Sequence, residues 1–385
     1  MRKVTYGILL ASALLLFTGC SALTDDASGP ILPETDSVAD NNISTGKDTP
    51  GNTVAIVTED DSLPPEEGMV RSRLTNEWVS PDVAGTRPIA VIIPNEKAAL
   101  PHYGLSQASI LYEANVEGRM TRMMAIYEDW QDLEKIGNVR SLRSYFAYWS
   151  FEWDAFLVHM GGPFFINDLI AQPDTENING LDSADQTAFF RTTDKSKPHN
   201  AYTSGPRLAN RIQQKGYSLE YRGLTEEAHY KFASKADPNT LEQYGDAARN
   251  ATYIDTSGCY PLTRCYFEFN ESDGLYYRFQ HLSGDTDGPH TDAATGEQLA
   301  FKNILVQNTF YEELGLEEDY IAFRCHDNTM DGWYFTNGKG IHVTWEKSSD
   351  YGATRYYDDN GDEISLNTGK TMICIVEDGD TFSFH

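Results

Sequence analysis

Arg140, Ser141 and Arg143, in the run Gly137-Asn138-Val139-Arg140-Ser141-Leu142-Arg143, are the residues best suited to handling an anion. A helix read over 140–151 would carry both guanidiniums on adjoining positions of its first turn. Two cations at the positive end of a helix are unfavourable alone. They become favourable when an anion takes backbone N–H bonds and forked guanidinium bonds together. The competing reading has both arginines neutralised by Glu113 or Glu117, which a spacing of four on a strand places on one face. Those two carboxylates, if close, would instead raise one pKa and suit it to acid–base work. His159 ends an apolar strand and runs into Gly161-Gly162, a position where α/β sheets bind ligands. Its plainer reading is a structural hydrogen-bonding residue. His199 and Asn200, following Lys195-Ser196-Lys197-Pro198, offer an acid or base and an amide contact, or simply a turn. Asp285, Asp287, His290 and Asp292 lack the bidentate glutamate of a calcium loop and read as an acidic turn. With no CxxC, GxSxG or HExxH pattern, neither a metal site nor a cofactor is expected.

The elements that must position these groups change character along the chain. Ile89–Ile93 is an unbroken apolar run between Pro88 and Pro94, as in a strand buried on both faces. Strands are also read at 110–116, 121–127 and 155–158, with helices at 140–151 and 206–215. This interleaving predicts an α/β N-terminal domain, a mixed sheet with helices, over 71–230. From about 251 the sequence is rich in Tyr, Phe, Thr and Gly, with strand-length segments and the turn dipeptides Asn337-Gly338 and Asn360-Gly361. A β-rich α+β C-terminal domain over 231–385 follows.

The first residues carry an address. Arg2 and Lys3 precede an apolar stretch too short to span a bilayer, which ends in Gly19-Cys20. The expectation is a lipoprotein signal peptide over 1–19, with diacylglycerol and palmitate carried by Cys20. Residues 20–70, acidic and without aromatics, read as a disordered tether. The folded part would then sit lipid-anchored on the outer face of the cell membrane, extracytoplasmic. A formal charge of −28 excludes nucleic acid as a partner. Cys259, Cys265, Cys325 and Cys374 either form disulfides, with 259–265 and 325–374 one pairing, or are buried free thiols.

Several phrases together identify a family. They are Arg87-Pro88-Ile89-Ala90-Val91, Gly104-Leu105-Ser106-Gln107-Ala108, Gly137 to Ser144, His159-Met160-Gly161-Gly162, Pro198-His199-Asn200, Pro289-His290-Thr291-Asp292, Gly338-Lys339-Gly340-Ile341 and Thr344-Trp345-Glu346-Lys347. From about Arg71 almost to its end the chain resembles the YerB-like lipoprotein family, a two-part bacterial domain of unknown function. Asn95-Glu96-Lys97 and the acidic Ser283–Asp287 stretch depart from that pattern. The resemblance implies a two-part fold and no particular reaction. The expected function is a binding or regulatory module near cell-wall synthesis, with an anion-accepting cleft in the first domain. Its partners would be the membrane, through the lipid, and a cell-wall polymer or wall-synthesis enzyme. The rival is a wall-active hydrolase or transferase using Glu113, His159 or His199.

Overall fold

The computed structural model describes residues 60–226, 228–281, 286–316 and 319–385. Cys20, the signal peptide, most of the tether and Asp285 lie outside them. In chain order the principal elements are β1 (Ile89–Pro94), β2 (Ile110–Asn115), β3 (Thr121–Tyr127), α1 (Ser144–Phe151), β4 (Phe156–His159), β5 (Asn177–Asn179) and α2 (Gly205–Lys215). There follow β6 (Arg249–Asn250), β7 (Tyr253–Asp255), β8 (Tyr266–Asn270), β9 (Leu275–His281), β10 (Asn303–Thr309), β11 (Asp327–Thr336), β12 (Lys339–Lys347) and β13 (Thr371–Glu377).

One mixed sheet runs through the whole body in the order β6-β12-β11-β10-β13-β2-β3-β1-β4-β5. An α/β first segment and a β-rich second segment are both present, and they share this sheet. The seam is β13, which lies parallel to β10 on one side and to β2 on the other, with Cys374 opposite Glu113. All seven β13 residues are buried, as suits a parallel strand covered on both faces. Strand alternation sorts the core into two layers. Val91, Leu111, Met123, Val306 and Cys374 face α2 and a smaller sheet built on β7, β8 and β9. Ile92, Tyr112, Met124, Leu305 and Ile373 face α1.

Two expectations are corrected here. The helix starts at Ser144 rather than at 140, because residues 140–142 are held by strand-end bonds described below. Cys325 and Cys374 are not bridged: all four described cysteines are free and buried. Cys374 belongs to the layer facing the smaller sheet and Cys325 to the layer around α1, so the main sheet separates them.

Candidate functional site

Pairing directions make β10, β13, β2, β1, β4 and β5 run the same way, so their carboxyl ends share one edge of the sheet. Ligand sites in open α/β sheets form beyond such ends. Across the parallel pair β1 and β4 lies the segment carrying Arg140, Ser141 and Leu142. The Arg140 N–H donates to the Ile92 carbonyl at 2.8 Å, the Arg140 carbonyl accepts from Met160 at 2.9 Å, and the Leu142 N–H donates to Gly161 at 2.9 Å. These bonds take the backbone groups that a helical turn would have used. The segment is not helical as a result; Arg140 and Ser141 stand half-buried at the rim, and Leu142 packs into the core layer around α1.

Three guanidiniums gather there. Arg143 is gripped at both ends by Glu117, Nε to Oε1 and Nη2 to Oε2 at 2.5 Å each, so the neutralising reading holds for this residue. Arg122 enters from β3, opposite Pro94, and donates from Nη1 to the Ser141 carbonyl at 2.8 Å. Although only 5% exposed, Arg122 has no carboxylate within ion-pair distance among the described residues. Burial, reinforced by Arg143, pulls its pKa down to about 9, with Glu117 countering and Arg140 adding to the repulsion. Arg140 makes a loose approach to Glu96, Nη2 to Oε1 at 3.9 Å, and its buried Nε has no hydrogen-bond partner among the described residues. Burial lowers the Arg140 pKa as well, against the pull of Glu96. His199 closes the group, with Nδ1 3.6 Å from the same Glu96 oxygen. Burial shifts this imidazole toward its neutral form, Glu96 opposes the shift, and Arg140 and Lys195 assist it. Lys195, lowered by burial to about 8, donates to the carbonyls of Ala99 and Pro101.

Other residues singled out in the sequence are elsewhere. Glu113 is fully buried and points from β2 toward the smaller sheet. There it accepts from Arg278 at 2.7 Å, Asn95 at 2.7 Å and Thr121 at 2.7 Å. Its spacing from Glu117 does not pair the two, because β2 ends at Asn115 and Glu117 lies on the following turn. His159 is also fully buried, bonded to the Gly161 carbonyl at 2.8 Å and Asn177 at 3.3 Å. Asn200 ties its own turn, accepting from Arg191 at 2.8 Å and donating to Thr192 at 2.9 Å. Arg140, Ser141, Arg143, His199 and Glu117 are therefore brought to the rim; Glu113 and His159 take no part in it. Sequence reading missed Arg122, Glu96 and Lys195 as members. A charged residue at the start of the otherwise apolar Met123-Met124-Ala125-Ile126 run was the available signal for Arg122.

Residues 74–218 match the N-terminal domain, and residues 259–373 the C-terminal domain, of a family described as protein of unknown function DUF3048. The chain belongs to this family. It is similar to "Putative lipoprotein YerB" of Bacillus subtilis (strain 168), with 29% identity over 327 residues, 84% of this chain and 91% of that one. The crystal structure of YerB protein from Bacillus subtilis superposes with a TM-score of 0.69 at 26% identity, covering 82% of this chain and 99% of the other. In this DUF3048 protein the N-terminal match ends just after α2, and the C-terminal match ends inside β13, at Ile373. Completing the sheet around β2 therefore needs both matched segments.

Proposed function

We propose that this DUF3048 protein is an envelope lipoprotein, tethered through Cys20, whose strand-end rim binds an oxyanion. The ligand class is a phosphate or carboxylate group carried by a cell-wall polymer or by a component of its synthesis. The observation that carries this reading is a pair of guanidiniums without committed acceptors. Among the described residues Arg122, nearly buried, has only a carbonyl as hydrogen-bond partner, and the buried Nε–H of Arg140 has none. Buried donors left open cost stability, and an oxyanion between them supplies several acceptors at once. Three arginines face two carboxylates, Glu96 and Glu117, so the patch is positive in a chain that is strongly negative. A binding module is favoured over a hydrolase because Glu113, His159 and His199 do not converge on one reacting position.

Titration with inorganic phosphate tests the rim. Arg140→Ala should lose at least about tenfold in affinity, as expected for a charge-assisted bond. Arg140→Lys should recover only part, since a point charge lacks the fork. Equal affinity in wild type and Arg140→Ala would overturn the reading. In the same cells, Cys20→Ala should move the protein out of the membrane fraction, because two acyl chains suffice for stable anchoring. Retention of a normally processed product would contradict the tether.

A further inference from the structure

At the opposite edge of the same sheet, where β2, β10 and β13 begin, the fold forms a half-open pocket of about 610 Å³. That lies within the range of ordinary small-molecule sites. Its wall is drawn from distant parts of the chain: Ser106 before β2, Ser234 and Pro238 between the two family segments, Leu275 and Tyr277 on β9, and Lys302 and Lys370 before β10 and β13.

Two of its three lysines, Lys302 and Lys370, define its chemistry; the third, Lys235, is paired with Glu77. Lys302 donates to the Asn337 side-chain oxygen at 2.8 Å and the Gly274 carbonyl at 3.2 Å; Lys370 donates to the Ser106 carbonyl. Neither ammonium reaches a carboxylate among the described residues, and each has three hydrogens to give. Burial disfavours the charge on both, and nearby carboxylates oppose that only in part. The stem of Lys302 is held in place. A Cβ on Gly369 would lie 2.8 Å from the Lys302 Cβ, and one on Gly274 would lie 3.0 Å from its Nζ. Both glycines have positive φ, +137° and +70°, so the bare backbone there is a conformational requirement as well as a fit.

The rest of the wall narrows the ligand further. Leu275, Ala300 and Pro238 give an apolar side, and Glu297 is an exposed acceptor at the margin. The carboxylates of Asp273 and Glu77 are already engaged. Asp273 accepts from the Tyr277 hydroxyl at 2.8 Å, and Glu77 pairs with Lys235 at 3.0 Å. An anion for the ammoniums, hydroxyls for Glu297 and a C–H face for the apolar side describe one molecule. We propose that this pocket binds a small anionic sugar, a carboxylate or phosphate on a polyhydroxylated ring, at a site separate from the arginine rim.

Calorimetric titration of the full chain with glucuronate, glucose 6-phosphate, glucose and inorganic phosphate tests this. At least one anionic sugar should bind saturably and at least about tenfold more tightly than glucose, the value of one charge-assisted contact. Which of the two binds better separates a carboxylate from a phosphate source. Lys370→Met and Lys302→Met, each checked for an unchanged circular dichroism spectrum and melt, should weaken that sugar about tenfold, and the saturable pocket binding should persist when Arg140→Ala removes the contribution of the rim. Absence of saturable sugar binding, equal binding of glucose, or affinities within twofold in both folded lysine variants would each overturn the proposal. Binding lost only in Arg140→Ala would assign the sugar to the rim and equally overturn it.

Discussion

At the residue scale, the most consequential group is the buried line that joins the two family segments. Arg278 pairs with Glu113 at 2.7 Å, both fully buried, and also donates to His290 Nδ1. His290 Nε2 then meets His102 Nδ1 at 2.8 Å, and His102 Nε2 meets the Pro94 carbonyl at 2.8 Å. A guanidinium at one end and a carbonyl at the other fix the direction of every hydrogen bond, and each imidazole fits only as the neutral ring. Burial drives the same outcome, lowering His102 to about 3 and His290 well below its ordinary value. His229, stacked on Trp153 at 3.6 Å, is lowered to about 4, and His159 is lowered too. The unfolded chain binds protons near pH 6.5 that the folded chain refuses, so stability is fully present above that pH and is lost as the pH falls toward the folded values. The slope is about 1.4 kcal/mol per pH unit for each such histidine. Glu128 and Glu377, raised by burial, act in the opposite sense over a range reaching up from about pH 4.5. Urea unfolding should show falling stability from pH 6.5 to pH 5; a flat or rising profile would contradict the neutral histidine line.

At the element scale, α2 is seated by one close approach. Gly205 opens the helix with its N–H on the Leu133 carbonyl at 2.7 Å. A Cβ there would lie 2.1 Å from the Trp130 carbonyl oxygen and 2.3 Å from that of Gln131, both backbone atoms. Gly205→Ala should therefore destabilise by about 1–3 kcal/mol or more, read as a lower urea midpoint. An unchanged midpoint would mean that the helix docks more loosely than described. Much of this level was legible beforehand. The apolar run 89–93, the strands after 110 and 121, the α2 helix and the Asn337-Gly338 turn each announce themselves by local pattern, and the structure contains them. The start of α1 and the shared sheet were not legible. Both are decided by partners far along the chain: Ile92 and Gly161 for the Arg140 segment, and β13 for β2. The same cause limited the site. Arg140 and Arg143 are chemically conspicuous, but that Arg143 is neutralised while Arg140 is not depends on where β2 ends and Glu117 turns. That Glu113 serves Arg278 depends on a sheet that begins more than a hundred residues later.

At the scale of the whole molecule, a chain of net charge −28 holds anions at a distance unless a local arrangement overcomes its field. Added salt weakens that long-range repulsion, since the screening length falls to about 8 Å at physiological ionic strength, and leaves short guanidinium contacts largely intact. The two proposed sites use this differently. The rim gathers guanidiniums at the carboxyl ends of the strands, and the pocket holds two ammoniums at their beginnings. A shared sheet makes both edges products of the complete fold. Whether the Arg122 and Arg140 guanidiniums donate to a bound oxyanion is read directly from crystals soaked in selenate, whose anomalous scattering locates the ion without ambiguity. A selenium peak should appear within hydrogen-bonding reach of both guanidiniums and disappear in Arg140→Ala crystals. Selenate bound only at other positions, or a peak that survives in Arg140→Ala, would contradict oxyanion binding by this pair.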